Sequence, residues 1–144
     1  MSVNQISVFL ENRPGRLKKM TGVLAAHGID MRATSLAETK DFGIARLIVD
    51  DAISAVNTLK ENDFVASLTP VLAVEIPDEA GGLDKLLEIF TDAEVNIEYM
   101  YAFTGGKDSD HAYMIFRVTD TKAAEAKLVG KGAKLLTQED IANI

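Results

Sequence analysis

Residues 8–31, VFLENRPGRLKKMTGVLAAHGIDM, are answered 66 positions later by residues 74–97, VEIPDEAGGLDKLLEIFTDAEVNI. Val8, Gly15, Leu17, Met20, Leu24, Ile29, Asp30 and Met31 align without a gap on Val74, Gly81, Leu83, Leu86, Phe90, Val95, Asn96 and Ile97. Self-similarity at a fixed period marks repeated supersecondary units, so the 144 residues divide into two modules, 1–69 and 70–144. A module of about 70 residues is near the size at which a lone core is marginal. The two are therefore expected to pack side by side, and a seam between packed modules is a preferred place for a small ligand.

Working outward, Gln5 to Leu10 alternates Ile6, Val8 and Leu10 against Ser7 and Phe9, the period of a strand. Asn12-Arg13-Pro14-Gly15 breaks it, and Pro14 suits a first helical position because its missing N–H would be unpaired there. Leu17, Met20, Val23, Leu24 and His27 follow helical spacing, with Gly28 as a left-handed stop. Strands over Ile29–Glu38 and Phe42–Val49 follow. A helix capped by Asp50 or Asp51 should turn Ile53, Val56 and Leu59 or Lys60 inward, and Phe64–Leu68 closes the module. The second module repeats the order. It has strands over Val71–Ile76, Val95–Phe103, Ala112–Val118 and Ala133–Leu136, and helices on Leu83 to Phe90 and from Asp120 through Leu128. Thr137 to Asp140 resembles a capping box opening a tail helix. The expected fold class is α+β: two βαββαβ modules of ferredoxin-like topology, each an antiparallel sheet with helices on one face.

Composition removes several functions. Fifteen basic against 22 acidic side chains give a net charge of −7, with no local Lys/Arg cluster, which disfavours nucleic acid as a partner. There is no cysteine, so disulfides, thiolate catalysis and cysteine-based metal sites are excluded. No apolar run reaches the roughly 20 residues of a bilayer span, and the first residues lack a secretion signal, so no membrane is expected and the cytoplasm is the expected compartment.

The stretch that can carry chemistry is Glu11-Asn12-Arg13-Pro14-Gly15-Arg16-Leu17. A helix start offers unpaired N–H groups and partial positive charge, which suits a carboxylate. Gly15 bares those amides, and Asn12 offers a donor and an acceptor beside them. Asp30, expected at the same edge of the sheet, supplies an anion for an ammonium group. Together these match the two charges of an α-amino acid. The alternative is a well-formed turn with a solvated Asp30, and the residues alone balance the two readings.

These residues, followed by Gly28-Ile29-Asp30-Met31, resemble an ACT domain, the small-molecule regulatory module of many amino-acid-pathway enzymes. The resemblance covers the chain as two tandem modules with no catalytic domain. It implies a free-standing regulatory protein that binds a free amino acid at the seam of paired modules. The loop of one module, Asn12, Arg13, Pro14, Gly15, Arg16 and Leu17, would face Asn96, Ile97 and Glu98 of the other; Asp30 and Met31 would face the second loop, Asp78 to Leu83. There Asp78 and Ala80 replace Asn12 and Pro14, and Asp78 is expected to occupy the helix amides itself, making that site the poorer one. A metabolic enzyme of amino-acid pathways is the candidate macromolecular partner, and blunting of edge strands favours a homodimer over a monomer. The rival reading is a ligand-free dimerisation or docking module.

Neither an enzyme nor a metal or cofactor site is expected. The two histidines lie far apart in sequence, and no serine sits in a nucleophile elbow. His27 reads as a helix-end cap. His111, Asp108 and Asp110 read as a solvated hairpin turn, and Tyr99, Tyr101 and Phe103 as packing on one strand face.

Overall fold

In the computed structural model, described for residues 2–38, 41–103 and 110–144, the elements run β1 (Val3–Glu11), α1 (Arg16–Ala26), β2 (Met31–Glu38), β3 (Phe42–Val49), α2 (Ala52–Glu61), β4 (Val65–Pro77), α3 (Gly82–Asp92), β5 (Ile97–Phe103), β6 (His111–Val118), α4 (Thr121–Gly130), β7 (Lys134–Leu135) and α5 (Gln138–Asn143). They form two compact units, an amino-terminal one of Asn4–Thr69 and a carboxy-terminal one of Pro70–Ile144 with residues 1–3.

The amino-terminal unit orders its strands β2-β3-β1-β4, with β4 contributing its first residues. Both β1 and β2 run antiparallel to β3, with Val8 opposite Ala45 and Leu36 also opposite Ala45. Alternation puts Ile6, Val8 and Leu10 on one face, where they meet Met20 and Leu24 of α1 and Ala55, Val56 and Leu59 of α2 in a buried core. The stripe of α2 begins at Ala52, one residue earlier than expected, and helical spacing from there turns Ile53 outward, 56% exposed. Asp51 caps α2, accepting from the Ser54 N–H at 3.0 Å.

The carboxy-terminal unit repeats the arrangement: β4 pairs with β6 and with β7, and β5 pairs with β6, all antiparallel. Leu72, Val74 and Ile76 pack on Leu86, Phe90, Phe116, Ala124 and Leu128, with the Phe90 and Phe116 rings 4.6 Å apart. Asp120 caps α4, and Thr137 with Asp140 forms the reciprocal capping box of α5. Phe103 is buried edge-on to Tyr113.

Strands β2, β5 and β7 start at Met31, Ile97 and Lys134, later than the expected Ile29, Val95 and Ala133, and two further boundaries differ from the sequence reading. The strands expected over Phe64–Leu68 and Val71–Ile76 are one: β4 runs from Val65 to Pro77, the fixed φ of proline being compatible with extended backbone. Pro70 lacks an N–H, but its carbonyl accepts from Arg117 at 2.7 Å. Helix α1 starts at Arg16 rather than at Pro14, because Gly15 is its N-cap in the left-handed region at φ 87°.

Candidate functional site

Helix α1 has an open start. Gly15 carries no side chain, no side chain among the described residues caps the helix, and its first turn holds no acidic residue. The Arg16 N–H reaches the Arg13 carbonyl only at 3.4 Å, and the Leu17 and Lys18 N–H groups have no partner among the described residues. Helices α2, α4 and α5 spend the side chains of Asp51, Asp120 and Thr137 on the corresponding donors.

Two cations flank this start. Arg13 pairs with Glu11 at 3.0 Å on the surface. The Arg16 guanidinium lies 5.5 Å from the Phe64 ring centroid, and its buried Nε has no hydrogen-bond partner among the described residues. Buried polar nitrogens are ordinarily bonded, so this donor is chemically available. Asn12 donates from Nδ2 to Glu38 Oε2 at 3.3 Å, tying the loop to the end of β2.

A cavity of about 80 Å³ opens beside the first turn, lined by Leu10, Arg16, Leu17, Leu36, Glu38 and Gly43 together with Asn12, Arg13 and Glu11. Its floor follows from register. Gly43 stands opposite both Leu10 and Glu38, so the central position of that cross-strand row has no side chain. Leu17 and Leu36 remain 41% and 54% exposed at its sides.

Four residues nominated from sequence, Asn12, Arg13, Arg16 and Leu17, thus meet at one cavity, with Pro14 and Gly15 in the same loop. Leu10, Leu36, Glu38 and Gly43 complete it and were not nominated. Asp30 and Met31 are not brought to this place. Because β1 and β2 run parallel to each other, the residue before β2 lies at the opposite end of the sheet from the one after β1, which corrects the expectation of a shared edge. Asp30 instead pairs with Arg32 at 2.7 Å, and its N–H donates to Asp50.

The counterpart helix α3 begins the same way, with Gly81 at φ 85° and no side-chain cap. Asp78 does not occupy its amides, contrary to expectation; the Asp78 backbone N–H bonds to the Asp110 carbonyl while the left-handed Gly81 takes the cap position. The electrostatics still differ. Asp84 lies in the first turn of α3, where α1 has no acidic residue, and Gly82 stands where α1 has Arg16; Glu79 pairs with Lys85 at 3.5 Å much as Glu11 pairs with Arg13. Asn96 donates to the Thr119 hydroxyl at 3.4 Å and lines a cavity of about 240 Å³ with Val95, Asp120 and Lys127. Glu98 pairs with Arg117 at 3.2 Å.

Among the described residues no cluster of His, Cys, Asp and Glu has the arrangement of a metal site, and no helix is long and apolar enough to cross a membrane. Asp108 lies outside the described residues. His111 approaches Glu75 at 3.5 Å, and the His27 ring caps α1 through the Val23 carbonyl at 2.9 Å.

The family model for an ACT domain pair matches residues 1–144. The chain belongs to this family. Among solved structures, this ACT pair is similar to protein BT0572 from Bacteroides thetaiotaomicron, at 36% identity and a TM-score of 0.92, covering 100% of this chain and 98% of that one. It shares the fold of the ligand-free regulatory subunit of aspartate kinase from Thermus thermophilus, at 21% identity and a TM-score of 0.65, with 90% and 91% covered. The corresponding subunit from Thermus flavus aligns at 19% identity and a TM-score of 0.58, with 88% and 90% covered. No curated protein sequence matches the chain.

Proposed function

We propose that this ACT pair is a non-catalytic regulatory protein that binds a free amino acid, with the ligand carboxylate received at the start of α1. The observation that carries the reading is the uncapped, left-handed Gly15 turn with its free Leu17 and Lys18 amides, beside the unpartnered Nε of Arg16. A carboxylate there gains charge-assisted hydrogen bonds from donors already in place, with no loop to be ordered first. Glu38, held by Asn12 at the rim of the adjoining cavity, is an acceptor for the ammonium group. The family resemblance adds Asn96, Ile97 and Glu98, and for a second, weaker site Asp30 and Met31, as further ligand contacts.

Regulatory subunits of aspartate kinase with the same fold support a role in controlling an enzyme of amino-acid metabolism. In this proposal the chain acts as a homodimer in the cytoplasm, as expected from its sequence. The test is thermal stabilisation across the twenty amino acids and, as controls, common nucleotides. Bound ligand at 100 times its dissociation constant should stabilise the fold by about 2.7 kcal/mol. An amino acid that raises the melting temperature by several degrees, with no effect of nucleotides, is the expected result. A flat response to all twenty would favour a ligand-free docking module instead.

A further inference from the structure

We infer that the hollow over Gly43 receives the side chain of the ligand and restricts it to a short aliphatic group, so that the preferred amino acid is of the size of valine or leucine. This inference rests on the amino-acid reading above and adds the ligand class. Three observations carry it. The cross-strand row Leu10–Gly43–Glu38 has no side chain at its centre, which creates the space. Leu10, Leu17 and Leu36 wall it with hydrocarbon, and two of these stay exposed at 41% and 54%, apolar surface that a bound alkyl group would cover. Its 80 Å³ is about half the roughly 150 Å³ cavity that holds a benzene molecule, which leaves room for three or four carbons.

Polarity is sorted as the chemistry requires. Four charged residues line the hollow: Glu11 and Arg13 pair with each other at 3.0 Å, and Arg16 and Glu38 stand where the carboxylate and ammonium of an α-amino acid would lie. With those four charges engaged by one another and by the ligand's α-groups, a charged ligand side chain would lose its hydration against three leucines with no further counter-charge to meet.

Gly43 also offers the decisive perturbation. A Cβ there would meet Leu36 Cδ1 at 3.3 Å, the mobile tip of an exposed side chain, so Gly43→Ala is expected to fold while filling the floor. Leu36→Ala removes an exposed wall and enlarges the hollow.

The experiment is calorimetric titration of the intact wild-type chain, Gly43→Ala and Leu36→Ala with glycine, alanine, 2-aminobutyrate, valine, leucine, phenylalanine, aspartate and lysine. Circular dichroism confirms folding of each variant. At roughly fourfold per buried carbon, wild type should prefer leucine to glycine by more than a hundredfold. Aspartate and lysine should bind no better than glycine. Gly43→Ala should weaken leucine at least tenfold while sparing alanine, and Leu36→Ala should shift the preference toward phenylalanine. Tightest binding of a charged amino acid, or an unchanged rank order in both variants, would overturn the inference and leave amino-acid binding standing. No binding of any amino acid by wild type would overturn both.

Discussion

Gly15 and Gly81 share one backbone geometry, at φ 87° and 85°, and a Cβ at either meets nothing within 4 Å. Placing aspartate at either position therefore carries the same intrinsic penalty, that of holding an L-residue in the left-handed region, about 1 kcal/mol for this tolerant residue type. In units of this size that corresponds to a loss of roughly 4–8 °C in melting temperature. Ligand response should separate the two. Aspartate at position 15 directs a carboxylate at the Leu17 and Lys18 amides and repels an incoming anion, removing hydrogen bonds to a charged group worth about 1.5–3 kcal/mol. A tenfold weaker site, held at the concentration that was 100 times the original dissociation constant, yields about 1.4 kcal/mol of stabilisation where wild type gains about 2.7. Gly81→Asp adds a carboxylate to a helix start that already has Asp84 in its first turn, and should keep nearly the full ligand response. Differential scanning fluorimetry with and without ligand measures both quantities. Equal loss of the ligand response in the two variants would refute the assignment to α1.

Asn96→Ala should weaken binding by about 0.5–1.5 kcal/mol if Asn96 supplies one net hydrogen bond to ligand, and unchanged affinity in calorimetry would remove it from the site. The thermal transition of α5 should show an acid dependence. Hydrogen bonds from the Thr137 backbone and side chain hold the Asp140 carboxyl below its ordinary value of 3.8, so this contribution is complete above that value and lost as pH falls through the lowered one. Loss of protection of α5 amides in hydrogen exchange toward pH 3, absent in Asp140→Asn, is the expected signature, whereas identical acid behaviour in the variant would contradict it. Glu94 occupies the position equivalent to Gly28 and is held at φ 56°, so Glu94→Gly should be neutral to stabilising by up to about 1 kcal/mol in urea denaturation, and a clear loss would show that its side chain compensates the strain.

The fold was legible because the repeat and the strand and helix periods agree at every level. Ile6, Val8 and Leu10 alternate, Met20 and Leu24 follow a helical turn, and Gly28 stops α1 at φ 69°, all within one buried core or at its edge. The loop from Asn12 to Leu17 was legible for a local reason: glycine before a helix, with no capping side chain, is a sequence-level statement about free amides. What escaped depends on pairing between distant strands. Gly43 becomes a cavity floor only because β3 lies between β1 and β2, placing it opposite Leu10 and Glu38 at once. Asp30 was misplaced for the same reason, since the parallel course of β1 and β2 is fixed by their shared partner and not by residues near Asp30. Asp78 reads as a cap by residue type, yet the left-handed Gly81 holds that position. Ile53 was lost to a shift of one residue, which on a helix turns a side chain by about 100°.

The central claim, that an amino acid places its carboxylate on the start of α1, is met most directly by amide NMR of the wild-type chain titrated with the amino acid that gives the largest thermal shift. The Leu17 and Lys18 N–H resonances, without partners among the described residues, should move downfield in a saturable way as they acquire a carboxylate acceptor, with the Arg16 Nε–H signal moving alongside. Saturable binding that leaves these three signals in place, or that moves the Leu83 and Asp84 amides of α3 in their stead, would contradict it.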